Sequence, residues 1–442
     1  MTNRSHILIL SLAASAAAAV IAACGGGNDE PRLGVSDDDP DAQTIAEVAD
    51  ILTSTDESIA SLQASIDAGE DAAGRDGDGA ASRFGRFPGV TQTNLVANRP
   101  EFGAQILEPA LKNAWGIAIR PAGAGGHFWI GATASSQSIQ YVGDVGDTPL
   151  FQDELKVVDT RGRATGVAFN PGSQFVITQP HANGAITNPT KFFFANATGS
   201  ISAWTERARP GGGFDHPADS VIVVDGGARR SAFLGVAVAP AADRLFAADF
   251  GAQAALRVYD GSFNELPALP NPFASAAPGA PFAAFNVQTL GQRVFAMYGR
   301  HVAPGTTTLP RGGRLAEFDG QGQLVATWHG RGLLHYPWGV AQAPQDFGLY
   351  SGCLLVGNFG DGSVVAFHPK LKVALDYVRD DRGERVRIDG LWGLQFGNGA
   401  SLGTANHMYF AAGPNKEEDG LFGKLQANPR TSPHLRGLSM CK

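Results

Sequence analysis

From residue 91 onward one phrase returns six times, at intervals of 50–70 residues. Its first line reads WGIAIRP (115–121), TGVAFNP (165–171), LGVAVAP (234–240), FNVQTLG (285–291), WGVAQAP (338–344) and WGLQFGN (392–398). Its second reads FWIGA (128–132), KFFFAN (191–196), LFAADF (245–250), VFAMYG (294–299), LLVGNFG (354–360) and MYFAAG (408–413). A third follows at 138–142, 200–204, 256–260, 315–319, 364–368 and 421–425, and a fourth at 155–159, 220–225, 324–328 and 373–378. Apolar and β-branched residues alternate in these runs, and Gly, Asp and Asn punctuate them, as hairpins require. Four short antiparallel strands repeated six times predict an all-β chain, a six-bladed β-propeller. Charged residues are 17% of the chain, below the roughly 25% of ordinary globular proteins, and Gly is abundant at 57 residues, which suits a turn-rich β protein.

The sixth unit lacks a fourth strand, while TQTNLVA (91–97) is a strand without a sheet. Pairing that N-terminal strand with the last unit closes the ring and removes its open edges. Gly116, Gly166, Gly235, Gly339 and Gly393 fall in register at the start of the innermost strand. Glycine there permits close backbone approach. Trp115, Trp338 and Trp392 either pack between blades or line one mouth of the axial channel as a ligand face; both readings stand at this level.

The first 24 residues read as a targeting signal: Arg4, then the apolar run ILILSLAASAAAAVIAA, then Cys24. IAAC resembles the lipobox of bacterial lipoproteins. That resemblance implies removal of residues 1–23, lipidation of Cys24 and, with Gly25–Gly27 following, an outer-membrane place in the cell envelope. Two or more acyl chains would anchor the chain stably. Residues 24–90 form an acidic tether: 25–80 carry 15 acidic side chains against Arg32 and Arg75, too polar to bury a core of their own. Within it, Ile45, Val48, Ile51 and Leu52, then Ile59, Leu62 and Ile66, have the spacing of short amphipathic helices. The propeller is expected over 91–425 and a tail over 426–442. Cys353 and Cys441 either form a disulfide that pins the tail, which an oxidising compartment permits, or remain two unpaired thiols, one of them buried.

The ordered series NLVANRP, NAWGIAI, TGVAFN, GSISAW, PWGVA, LLVGNFGDGSVVAF, IDGLWGLQFG and YFAAGPNKEEDGLFGKL resembles a family of exported bacterial proteins known only as conserved hypothetical. The resemblance covers roughly 91–425. It implies a six-bladed propeller outside the cytoplasm and no particular activity. More distantly the blades resemble NHL repeats and gluconolactonase-like propellers.

The chain has no nucleophile elbow, no HExxH, no EF-hand loop and no phosphate-cradling glycine loop. No basic patch with interleaved aromatics points to nucleic acid. Asn196, Asp249 and Asn358 end the second strands of their units and Asp389 precedes the sixth inner strand. Converging at one mouth, they would ring a divalent cation such as Ca²⁺ and support a metal-dependent hydrolase of the lactonase type. Staying apart, they are turn formers. Asp361, in the NFGDGS stretch, is a further ligand-face candidate or a hairpin tip. Glu417, Glu418 and Asp419 are expected to cap an exposed loop, and 212–220 and 266–285 to be long inter-strand loops. The leading expectation is a lipid-anchored propeller that binds a protein partner or a small ligand on one face; the hydrolase is the alternative.

Overall fold

The computed structural model describes residues 88–274, 280–302, 310–428 and 439–441. The signal, Cys24 and nearly all of the tether lie outside the described residues. Six sheets carry the fold, and their innermost strands are Ala114–Ala118, Ala164–Phe169, Phe233–Val238, Phe282–Leu290, Pro337–Gln342 and Leu391–Phe396. Each inner strand touches the next, and the sixth touches the first, so the blades form a closed ring. Each sheet then runs outward through antiparallel neighbours, as in blade five, where Leu354–Asn358, Val364–His368 and Val373–Tyr377 follow. Among the described residues no helix is long and apolar enough to cross a membrane.

Blade six is assembled from both ends of the chain. Its inner strand, His407–Ala412 and Leu421–Ala427 come from the C-terminal side, and Val90–Ala97 pairs antiparallel with Leu421–Ala427. The register places Leu391, Ala412, Leu421 and Ala97 at one end of the blade and Phe396, Met408, Leu425 and Gln92 at the other. We call these the upper and lower ends. Inner strands start at the upper end, and the propeller begins, at Val90, from the lower.

Two stretches read as loops contain strands. Glu265–Leu269 is the fourth strand of blade three, at its outer edge, where Pro267 removes no donor that the sheet needs. Arg207–Ala208 and Phe214–Asp215 make a small ribbon on blade two, as do Val176–Gln179 and Ile186–Pro189. The tail is also tied down. Cys441 is bonded to Cys353 across 88 residues, and Met440 and Cys441 are buried with Phe347, Leu349 and Tyr350. A closed loop of that size constrains the unfolded chain strongly. Cys441→Ser is expected to lower unfolding stability by about 2–4 kcal/mol, read from denaturant midpoints under non-reducing conditions.

Candidate functional site: the two ends of the axis

The repeated dipeptide marks a β-bulge. In every blade the register between inner and second strands slips by one residue there, at Trp115–Gly116, Thr165–Gly166, Leu234, Phe285, Trp338–Gly339 and Trp392–Gly393. The glycines sit where adjacent inner strands come closest. A Cβ on Gly393 would stand 2.6 Å from the Trp115 carbonyl oxygen, one on Gly339 2.6 Å from that of Trp392, and one on Gly166 2.7 Å from the Val236 nitrogen. Blade four has Asn286 instead of glycine, and its side chain lies against Gly235 and donates to the Trp338 carbonyl at 2.7 Å.

Above this ring the bulge residues meet on the axis. Trp115 stacks on Trp392 at 3.6 Å between centroids, Phe359 stacks on its other side at 3.7 Å, and Trp338 and Phe285 meet it edge-on or tilted. All five are buried. Trp338 donates to the Leu234 carbonyl and Trp392 to Asn113 Oδ1. The tryptophans therefore plug the upper channel, and Trp338 also reaches the space below it; each offset or edge-on pair contributes about 0.5–1.5 kcal/mol beyond its buried area.

Three of the four side chains considered for a cation have their oxygens committed within their own surroundings, and the fourth, Asn196, does not. Asp249 is fully buried, accepts from the nitrogens of Ala232 and Gly251, and is ion-paired with Arg257 at 2.7 Å. Asn358 accepts from the His335 nitrogen and donates to the Leu333 carbonyl and Ser363. Asn196 donates to Ser200 and Ser202. Asp389 is exposed and caps the Asn415 nitrogen. Asp361 accepts from the Ser363 nitrogen and hydroxyl, which makes it a hairpin tip. Among the described residues no group of three or more His, Cys, Asp or Glu is placed to hold a metal ion. Local hydrogen bonding accounts for the oxygens of Asp249, Asn358, Asp389 and Asp361, while the Asn196 oxygen is buried with no donor, and we derive no hydrolytic step from these residues.

The acidic loop differs from expectation. Asp419 is 1% exposed and accepts from Asn98, Arg99 and Asn415. Glu417 turns inward and accepts from Asn113 Nδ2 at 3.0 Å, while its other oxygen is buried with no donor. Asn415, Lys416 and Glu417 all have left-handed backbone, with φ of 53°, 59° and 66°. Such a run costs roughly 1–2 kcal/mol per residue and persists only where the surroundings hold it. Burial pushes the Glu417 carboxyl up to about 7, against the pull of Arg163 and the Asn113 bond.

The lower end is open. Past the glycine ring the ends of the inner strands line a funnel of about 680 Å³, floored by Trp338. Its walls are aliphatic: Ile117, Val167, Val236, Val238, Val287 and Leu394. A neighbouring recess of about 560 Å³ shares Gln288, Leu394, Gln395 and Phe396 with it. Most polar groups of the funnel are spent inside the protein. Gln288 accepts from the Val340 nitrogen, Thr289 donates to the Val238 carbonyl, Gln395 donates to the Phe396 carbonyl, and Asn398 accepts from three nitrogens of its own turn.

Arg120, at the rim, is the one charged side chain lining the funnel among the described residues. It donates to Glu206 at 2.6 Å and lies over Phe169 and Phe192, 5.9 and 5.7 Å from their centroids. Glu206 Oε2 is 3.5 Å from His216 Nε2. Burial pushes the Glu206 carboxyl up, but the His216 and Arg120 contacts outweigh it and hold the group below its ordinary value, so it is ionised at neutral pH. Nothing in the sequence flagged this pair, whose members are 86 residues apart.

No family model matches the chain. An uncharacterized protein of Acanthamoeba polyphaga mimivirus is 28% identical over 339 residues, covering 75% of this chain and 78% of the relative. A second uncharacterized protein of that virus is 25% identical over 345 residues, covering 75% and 84%. Among solved structures, a streptogramin B lyase aligns with a TM-score of 0.40 at 10% identity, covering 77% of this chain and 97% of its own. A gluconolactonase from Xanthomonas campestris aligns with a TM-score of 0.35 at 12% identity, covering 72% and 99%.

Proposed function

We propose that this chain is a binding propeller that takes a small, largely apolar ligand in its lower axial funnel, and that it works as an exported, lipid-anchored protein of the bacterial cell envelope. The observation that carries the binding role is the funnel itself. Its volume lies in the range of small-molecule sites, its walls are aliphatic and a few polar groups sit at its rim. The opposite mouth is filled by its own aromatics, which leaves the lower end as the open way onto the axis.

The cellular setting rests on other grounds. The Cys24 lipobox and the acidic tether support it, and so does the Cys353–Cys441 bond, since disulfides persist in oxidising compartments. The described domain starts from its lower end, the end that carries the funnel. A tether leaving there would bring the funnel toward the surface that holds the lipid.

A neutral apolar dye tests the binding role. Nile red is expected to brighten with the full chain and to saturate. Gln395→Trp, which fills the funnel and costs only one local hydrogen bond, should abolish that response while far-UV circular dichroism stays unchanged. No brightening with the parent protein, or equal brightening with the variant, contradicts the proposal.

A further inference from the structure

We propose that the funnel selects an amphipathic carboxylic acid, an aliphatic chain bearing a single carboxylate, and that Arg120 is the residue that recognises the head group. This rests on the funnel reading above and adds the ligand's chemical class to it.

The walls suit an alkyl body, because the six side chains named for them are all aliphatic. The rim suits one anionic head. The other polar side chains named there already have protein partners, whereas Arg120 Nε is buried with no acceptor. The guanidinium is held in place beforehand, by Glu206 through Nη2 and by the faces of Phe169 and Phe192. A guanidinium held in place at the rim of an aliphatic funnel suits an anionic oxygen head, and a carboxylate is a planar match for it.

Charge is the objection to meet, since Glu206 neutralises Arg120 in part. Glu206 is not spent on Arg120 alone. Its second oxygen faces His216, so the cluster is one carboxylate shared between two basic groups. Arg120 is thus a specificity residue at the rim, and binding needs no bond to form or break.

The test uses the full chain with Nile red bound, displaced by sodium decanoate or by 1-decanol. Decanoate is expected to displace the dye at about tenfold lower concentration than decanol, as one charge-assisted hydrogen bond would give. Arg120→Met should remove the preference and leave decanol unchanged. Glu206→Gln frees the guanidinium, so it should widen the preference. Should Arg120→Met fail to fold, the Glu206→Gln result decides alone. Equal displacement by both probes in the parent protein, or a preference that survives Arg120→Met or does not grow in Glu206→Gln, overturns the inference while leaving the funnel as a neutral apolar site. Failure of Nile red to bind at all overturns the funnel reading beneath it.

Discussion

Gly393→Ala is expected to destabilise the propeller by about 3 kcal/mol or more, whereas Gly211→Ala leaves stability within about 0.5 kcal/mol of the parent. Both changes add one methyl group. At position 393 that carbon would stand 2.6 Å from the Trp115 carbonyl oxygen and 3.2 Å from the Ile117 side chain. The first obstacle is backbone of the neighbouring blade, which cannot swing aside as a side chain can. Blade six would have to move off blade one, and the stacked Trp115–Trp392 pair would part with it. At position 211 nothing lies within 4 Å and the glycine is exposed, so the methyl only stiffens the unfolded chain. Paired urea titrations measure the contrast. Equal midpoints would mean that the inner strands are not in contact at the glycine ring.

The second large effect is a pH dependence centred on Glu417. Its folded-state value, about 7, lies above the ordinary 4.5 of an unfolded chain. A raised value means that the neutral form is the one the fold accepts. Its favourable contribution is therefore complete below about 4.5, declines as the pH climbs, and is gone above about 7. Above that pH the ionised carboxylate costs about 2–3 kcal/mol, because one oxygen is buried with no donor. Arg163 is the basic group that opposes the effect, and Lys416, Glu418 and Asp419 share the loop. Glu417→Gln keeps the shape and removes the charge, so it is expected to melt several degrees above the parent at pH 8 and together with it at pH 4.5. Burial holds His127, His335 and His407 below their usual values, which gives a gain in stability as pH rises, the opposite sign. Those terms are common to both proteins and cancel in the comparison. A variant that melts below the parent at pH 8 would show that the Glu417 charge is welcome where it sits.

The propeller was legible because its signals are local and repeat. Alternation of period two exposes a strand within five residues, and six copies of one pattern reinforce each other. The Trp-Gly phrase was legible as architecture for the same reason. Its side was not, because a bulge turns its large residue toward the axis only once the second strand has slipped against the first. Trp115, Trp338 and Trp392 therefore read as packing between blades, with a ligand face at the channel mouth as the alternative. Glu265–Leu269 was hidden by Pro267, which argues against a strand except at an edge, and the edge is known only after the sheet is assembled. Glu417 was hidden by its loop: three consecutive left-handed residues without glycine invert the usual direction of a charged side chain, and no sequence pattern announces that. Arg120 and Glu206 belong to adjacent blades, so their pairing exists only in the closed ring.

The most direct test of the binding role is photolabelling of the full chain with a decanol that carries a diazirine, followed by mass mapping of the labelled peptides. The account predicts label on the inner-strand ends around 117–122, 236–240 and 394–398, reduced by excess decanol and lost in Gln395→Trp. Label confined to the exposed apolar side chains of the outer surface, such as Leu107, Val176, Ile222 and Leu324, would contradict it.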